Sequence, residues 1–226
     1  MAAAIHTALG DAATIVNVGA GAGSYEPRDR TVVAVDPSPT MLAQRRGRSG
    51  LVVRGVAEAL PFADGAFEAA LAVLTMHHWR DRAAGLCEMR RVSRRQVVFF
   101  FEPVLSLGYW ALEYFPEAVD LPTERHAPGE DDLRGALSVR EVRPVLVPAD
   151  CRDGFGAAYW ARPEAYLDPA VHAGMSWLAL LPAAILRRGT ERLQHDLESG
   201  EWDRRHGHLR TQAFYDGGYR LAIAEG

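Results

Sequence analysis

The chain has 226 residues, 48% hydrophobic and 24% charged, enough for one α/β domain with a full core plus an elaboration. Its net charge of -4 gives no electrostatic reason for a nucleic-acid or acidic-membrane partner, no apolar run approaches the roughly 18 residues of a membrane span, and the N-terminus lacks a charged-then-apolar signal layout. With only 2 cysteines, Cys87 and Cys151, a disulfide framework or multi-cysteine metal centre is not expected, whereas reduced thiols and a cytoplasmic location are.

Met1 to Leu9 reads as a short helix closed by Gly10. The continuous apolar run Thr14–Val18 reads as a strand buried on both faces, and it enters Gly19-Ala-Gly-Ala-Gly23, expected to lead into a helix. A second run, from Thr31, ends at Asp36-Pro37, after which Ser38 is expected to cap a helix with Pro39 at its first position, carrying Met41 and Leu42 inward. Further strands are read at residues 51–53, 69–75 and 96–101, and the stretch from Asp81 to Val92 as a helix with Ala83, Leu86 and Met89 on one face. Apolar strands alternating with amphipathic helices imply a parallel sheet covered on both sides. Val139 to Val147 and Gly218 to Ala224 read as two more strands. The about seventy residues between them are too many for a structureless loop in a compact domain, so a helical insertion is expected. The expected organisation is one domain: a core over 1–150, an insertion or lid over 151–215, and a final strand over 216–226.

A strand running into a glycine-rich turn lets backbone approach a ligand closely, with helix-terminal N–H groups aimed at it. The spacing here, Gly19, Gly21 and Gly23, is G-x-G-x-G, not the G-x-G-x-x-G favoured for a dinucleotide pyrophosphate. Asp36 ends the second strand, where a carboxylate accepts from both hydroxyls of a ribose; a turn aspartate beside Pro37 is the plainer alternative. Every basic side chain is Arg, with no Lys anywhere. That excludes a pyridoxal Schiff base, a Walker phosphate loop and the Tyr-x-x-x-Lys pair of short-chain dehydrogenases, and it weakens a nicotinamide-dependent reading.

These motifs continue in order through Gly55-Val-Ala-Glu-Ala-Leu-Pro-Phe62, Asp64-Gly-Ala-Phe67, Leu74-Thr-Met-His-His-Trp79, Asp81 and Glu88-Met-Arg-Arg-Val92. Over roughly residues 13 to 103 the chain resembles class I SAM-dependent methyltransferases of the type 11 group, which includes the ubiquinone and menaquinone methyltransferases. The resemblance implies a Rossmann-like sheet of seven strands in the order 3-2-1-4-5-7-6, with a helical lid between the last two. It also implies S-adenosyl-L-methionine (SAM) as cofactor. In this chain Gly19, Ala20, Gly21 and Gly23 would lie under the methionine part and Asp36 with Pro37 at the ribose. Met41, Ala57, Glu58 and Ala59 would meet the adenine, and Leu74, Thr75 and His78 would line the floor near the sulfonium. Asn17 would face the amino group, but the family usually has Asp or Glu there, so a charge is missing. With few residues before the first strand to close over the cofactor, the insertion is expected to supply the lid. Stretches 150–160, 162–168 and 201–206 and the C-terminus resemble a subset of uncharacterised bacterial type 11 proteins, which names no substrate.

Methyl transfer requires positioning, and a base only when the nucleophile carries a proton. His78 and His77, at the end of the fourth strand, are the candidate bases. Glu102, Tyr109, Trp110, Tyr114 and Phe115 are expected to overhang the methyl donor, and Tyr109, Trp110, Tyr159 and Trp160 to contact substrate, with packing as the alternative for each. His206, His208 and Asp203 read as a surface cluster, and Arg90, Arg91, Arg94 and Arg95 as solvated surface. The expectation is therefore methylation of a small molecule, in bacterial secondary metabolism, by a monomer or homodimer that binds no metal, nucleic acid or membrane. SAM bound for a non-methylating cyclisation, or for sensing, is the alternative.

Overall fold

The computed structural model describes residues 1–45, 50–125 and 127–226. The strands are β1 (Thr14–Val18), β2 (Thr31–Asp36), β3 (Leu51–Arg54), β4 (Phe67–Val73), β5 (Ser93–Phe101), β6 (Val139–Pro144), β7 (Val147–Pro148), β8 (Phe214–Tyr215) and β9 (Tyr219–Glu225). The chain divides into two compact units: Met1–Glu102 with Ala127–Val145 and Tyr219–Gly226, and Pro103–His126 with Leu146–Gly218. Among the described residues no helix is long and apolar enough to cross a membrane.

The first unit holds a seven-stranded sheet in the order β3-β2-β1-β4-β5-β9-β6. Counted within that sheet alone, β9 is the seventh strand, so this is the class I methyltransferase order. Strands β1 to β5 pair in parallel, while β9 runs antiparallel to both β5 and β6. The central strands are continuous apolar runs because both faces are covered; Ile15, Val16 and Val18 of β1 are all fully buried. One face packs Val16, Val35, Ala70, Val98 and Ala222 against Leu86, Met89 and Val92 of α3 (Arg82–Val92) and Leu133 of the helix at Glu130–Ala136. Asp81 caps α3 by accepting the Ala84 N–H at 2.9 Å. The inward face of this helix is Gly85, Leu86, Met89 and Val92. Ala83 is exposed, because a single methyl adds little to the pull of the larger side chains on the helix phase.

Three local expectations change. No helix follows the glycine loop: residues 19–30 form only turns before β2 begins at Thr31. Positive φ at Gly19, Gly21, Gly23 and Tyr25, followed by Pro27, leaves no stretch in which helical hydrogen bonds could propagate. The second change is at α2 (Pro39–Ala43), which Ser38 caps as expected by accepting the Met41 N–H at 3.3 Å. It is a single turn that buries none of its residues, and Met41 is 38% exposed. The third is the strand read over 139–147. It stops at Pro144, which has no N–H to extend the ladder, and Val147–Pro148 pairs with Phe214–Tyr215 in a separate two-stranded sheet of the second unit.

The second unit is built from short helices and 3-10 turns around the longer helix Ala183–Glu198. Its interior is aromatic: Trp160, Trp202, Tyr114, Tyr166 and Phe115 are fully buried. Gly189 of the long helix admits this packing, because an added Cβ would land on the Phe115 ring and lie 2.7 Å from the Tyr114 carbonyl oxygen. Trp110 Nε1–H donates to the Trp160 carbonyl at 2.8 Å and Trp160 Nε1–H to the Val147 carbonyl at 3.0 Å. The Tyr109 and Tyr166 hydroxyls meet at 2.5 Å. Tyr114 and Phe115, expected to overhang a ligand, belong to this packed interior, and Trp110 and Trp160 are saturated within it. Tyr159 is half-buried with the Arg162 guanidinium 4.8 Å above its ring.

Candidate active site

In an open α/β sheet the carboxyl ends of the strands splay their loops apart, and the crevice between them is where ligands bind. Here that crevice has a volume of about 570 Å³, within the roughly 300–1,000 Å³ range of small-molecule sites. It is formed wholly within the first unit, by the loops that follow β1, β2, β3 and β4.

The glycine loop makes its inner wall. Gly19 and Ala20 N–H both donate to the Val35 carbonyl, at 2.8 and 3.0 Å, which bends the chain sharply back against β2. Gly19 has φ +69°, and a Cβ there would land on the Thr75 hydroxyl with Thr75 Cβ at 2.8 Å, so only glycine fits. Asp36, 7% exposed, holds the next turn: its Oδ2 accepts the Gly21 N–H and its Oδ1 the Ser38 N–H, each at 2.8 Å. The turn role and the ligand role are compatible, since each carboxylate oxygen accepts one N–H here and has capacity for a second donor.

Of the residues singled out in the sequence, Asn17, Gly19, Ala20, Gly21, Asp36, Pro37, Met41, Ala57, Glu58, Leu74, Thr75 and His78 line this crevice. Gly23 and Ala59 are not among the lining residues. Gly23 faces the Arg45 guanidinium and the Glu26 carboxylate, and Ala59 is exposed. Nor is Glu102, whose Oε2 accepts the Glu130 N–H at 2.9 Å at the start of a helix. Glu58 is held from behind, its Oε1 accepting the Arg80 and Asp81 N–H groups at 2.7 and 3.1 Å. Met41 reaches toward the glycine loop, its Cε 3.3 Å from where a Gly21 Cβ would sit. Leu74, at the end of β4, is held at φ +47°, unusual for a branched side chain and of the kind that collects at functional sites.

The lining also includes Ala22, Ser24, Ser38, Gly55, Val56, Val73, Trp79 and Arg80, which sequence reasoning did not assign to the site. Trp79 had a signal: Gly85, a glycine inside a helix, marks a close approach. A Cβ on Gly85 would lie 2.6 Å from Trp79 Cε3 and 3.2 Å from Ala57 Cβ. A helical Gly→Ala change ordinarily stabilises by about 1 kcal/mol. Gly85→Ala should do the reverse, by about 1–3 kcal/mol of overpacking, and weaken ligand binding as Trp79 shifts. Thermal unfolding with calorimetric titration checks this; a variant more stable than wild type with unchanged affinity would contradict the packing.

The two histidines differ. Their ring centres lie 3.9 Å apart with the planes tilted by 49°, but only His78 lines the crevice, while His77 turns toward Phe101 at 5.7 Å. Burial, aided by the neighbouring His78, holds His77 down at about 3. Burial also lowers His78, against the opposing pull of the Asp36 charge. At neutral pH both rings are therefore uncharged, and His77 is too weak a base to take a proton efficiently. For His77 the unfolded chain binds more protons between pH 3 and 6.5, so its contribution is full above about 6.5 and declines as pH falls toward 3, by at most about 1.4 kcal/mol per pH unit. His77→Phe should flatten the acid limb of a stability-versus-pH curve measured by urea unfolding. An unchanged acid limb would contradict the buried neutral ring.

Comparison with known proteins is consistent with this geometry. The methyltransferase-domain family pattern matches residues 16–101. The crystal structure of a candidate methyltransferase from an antibiotic biosynthesis pathway of Anabaena variabilis ATCC 29413 superposes with a TM-score of 0.91 at 31% identity, over 100% of this chain and 96% of that one. The chain belongs to the class I SAM-dependent methyltransferases, type 11 group. The demethylmenaquinone methyltransferase of Mycolicibacterium vanbaalenii is 40% identical over 90 residues, 40% of this chain and 36% of that protein. The uncharacterised protein YafE of Escherichia coli K12 is 33% identical over 96 residues, 39% of this chain and 46% of that protein. This methyltransferase-family chain thus spans less than half the length of those two curated relatives.

Proposed function

We propose that this protein transfers a methyl group from SAM to a small-molecule acceptor. The observation that carries the reading is the chemistry of the crevice: a hydrogen-bonded carboxylate at Asp36, an apolar and aromatic rim at Met41, Ala57 and Trp79, and at Asn17 a buried oxygen, Oδ1, without a hydrogen-bond partner among the described residues. Such an oxygen is costly to leave unpaired and suits a ligand amine. The donor set fits SAM part by part, and a cofactor without phosphate needs no phosphate clamp.

When bound, SAM supplies an electrophilic methyl on sulfur, so the protein's task is positioning. Asp36 receives the ribose hydroxyls. Glu58 accepts the adenine amino group through the oxygen not held by Arg80 and Asp81, with Trp79, Ala57 and Met41 beside the ring. Leu74 and Thr75, which line the crevice beside Gly19, would hold the sulfonium end of the cofactor. His78, uncharged at neutral pH and at the crevice, accepts a proton where the acceptor atom carries one. His77 supports the His78 ring and does not touch the crevice.

A small-molecule acceptor is favoured by the whole-length similarity to a protein placed in antibiotic biosynthesis and by the partial similarity to a demethylmenaquinone methyltransferase. The test is calorimetric titration with SAM, followed by a screen of phenols, amines and carboxylic acids for S-adenosylhomocysteine release. Micromolar SAM binding with release on at least one acceptor class supports the proposal. Binding without release on any class would favour the non-methylating alternative, and absence of SAM binding would overturn the proposal.

A further inference from the structure

Class I methyltransferases of this group usually carry an acidic side chain at the position of Asn17, and the charge it would supply to the SAM amine is absent here. A second carboxylate stands directly behind it. Asn17, 1% exposed, donates from Nδ2 to Glu26 Oε1 at 2.7 Å, and Glu26 is itself 5% exposed. A carboxylate only accepts, so the amide nitrogen must face Glu26. The amide oxygen is then the arm turned away from Glu26, in a residue that lines the crevice, and it is buried without a partner among the described residues. Glu26 Oε2 pairs with the buried Arg45 guanidinium at 2.7 Å, and Arg45 Nη1–H reaches the Gly21 carbonyl at 3.4 Å, joining the pair to the glycine loop. Gly23 is required beside this pair, since its Cβ would lie 2.8 Å from Arg45 Nη1 and 3.0 Å from Glu26 Oε2.

The geometry points to Glu26 as a positioning residue for the SAM amino group: by locking the Asn17 amide with its oxygen toward the crevice, it creates an acceptor where the family usually has a charge. Arg45 holds that lock, and balances the buried carboxylate that works it. The inference rests on the proposed SAM site. It also makes a reversal: restoring the family's acidic residue, by Asn17→Asp alone, sets two carboxylates against each other across the 2.7 Å contact and impairs the site instead of improving it.

The test uses two probes sharing the adenosyl group, S-adenosylhomocysteine and 5′-methylthioadenosine, the second lacking the amino-acid end. In Glu26→Gln the new amide can donate as well as accept, so Asn17 is free to turn its nitrogen toward the crevice. S-adenosylhomocysteine affinity should fall by about ten- to a hundredfold, the scale of one charge-assisted hydrogen bond, while 5′-methylthioadenosine affinity stays within about twofold. Equal losses for both probes, which a merely loosened loop would give, or no loss for either, would overturn the inference. Failure of both probes to bind the wild-type protein would instead overturn the SAM reading. Asn17→Asp combined with Glu26→Gln provides the independent check, because the introduced amide can donate to the introduced carboxylate and relieve the repulsion. This double variant should bind S-adenosylhomocysteine more tightly than either single variant, and a double variant weaker than both singles would overturn the assignment.

Discussion

Replacing Asp36 by Ala should cut SAM affinity at least about 100-fold, because two hydrogen bonds from ribose hydroxyls to a carboxylate contribute about 1.5–3 kcal/mol each. The same change removes the acceptors of the Gly21 and Ser38 N–H groups, so a stability loss of about 1–3 kcal/mol should accompany it. The two effects separate by calorimetry on protein shown by circular dichroism to be folded. Asp36→Asn provides the gradation. Its amide oxygen can accept from Gly21 or Ser38 but not both, since the other N–H would face an NH₂, and it offers fewer lone pairs to the ribose. Affinity should therefore fall between wild type and Ala. A folded Asp36→Ala protein that binds SAM as tightly as wild type would leave this aspartate with the turn role alone.

Gly19→Ala should be the most damaging single-methyl change in the crevice. A side chain at φ +69° costs about 1–2 kcal/mol, and the collision with Thr75 adds overpacking of about 1–3 kcal/mol. Together these should lower Tm by roughly 5–15 °C. The loop cannot yield cheaply, because Gly19 and Ala20 are both tied to the Val35 carbonyl. Gly65→Ala is the matched control, with φ +63° and nothing within 4 Å of the added carbon. It should show the backbone cost alone, and differential scanning calorimetry of the pair isolates the steric part. Equal destabilisation of both variants would mean that Thr75 does not close over the turn.

Much of this architecture was legible because burial writes directly into sequence. β1, β2 and the second half of β5, Val97 to Phe101, are largely covered on both faces, so they appear as apolar runs, whereas the polar start of β5 at Ser93 to Arg95 did not read as strand. The caps Ser38 and Asp81 sit where their helices begin. The place of Asp36 at the crevice was legible because it ends a strand beside the glycine loop. What was not legible depends on distance in the chain or on competition between equal patterns. The helix expected after Gly23 fails on positive φ at Tyr25 and on Pro27, which outweigh the usual strand–loop–helix expectation. Glu26 and Arg45 lie 19 residues apart and neither falls on a periodic face, so nothing local joins them to Asn17. Tyr109, Trp110 and Trp160 show a different limit. Aromatic richness in an insertion reads equally as pocket or core, and only three dimensions show their N–H and O–H groups paired inside the second unit.

The central claim is that the crevice at the ends of β1, β2 and β4 holds an adenosyl amino acid, and a crystal structure of the protein grown with S-adenosylhomocysteine tests it most directly. The account predicts the ribose hydroxyls on Asp36, the adenine beside Trp79 and Ala57, and the amino group within hydrogen-bond distance of Asn17 Oδ1. Density for the compound elsewhere, or a crevice left without it at saturating concentration, would contradict the account.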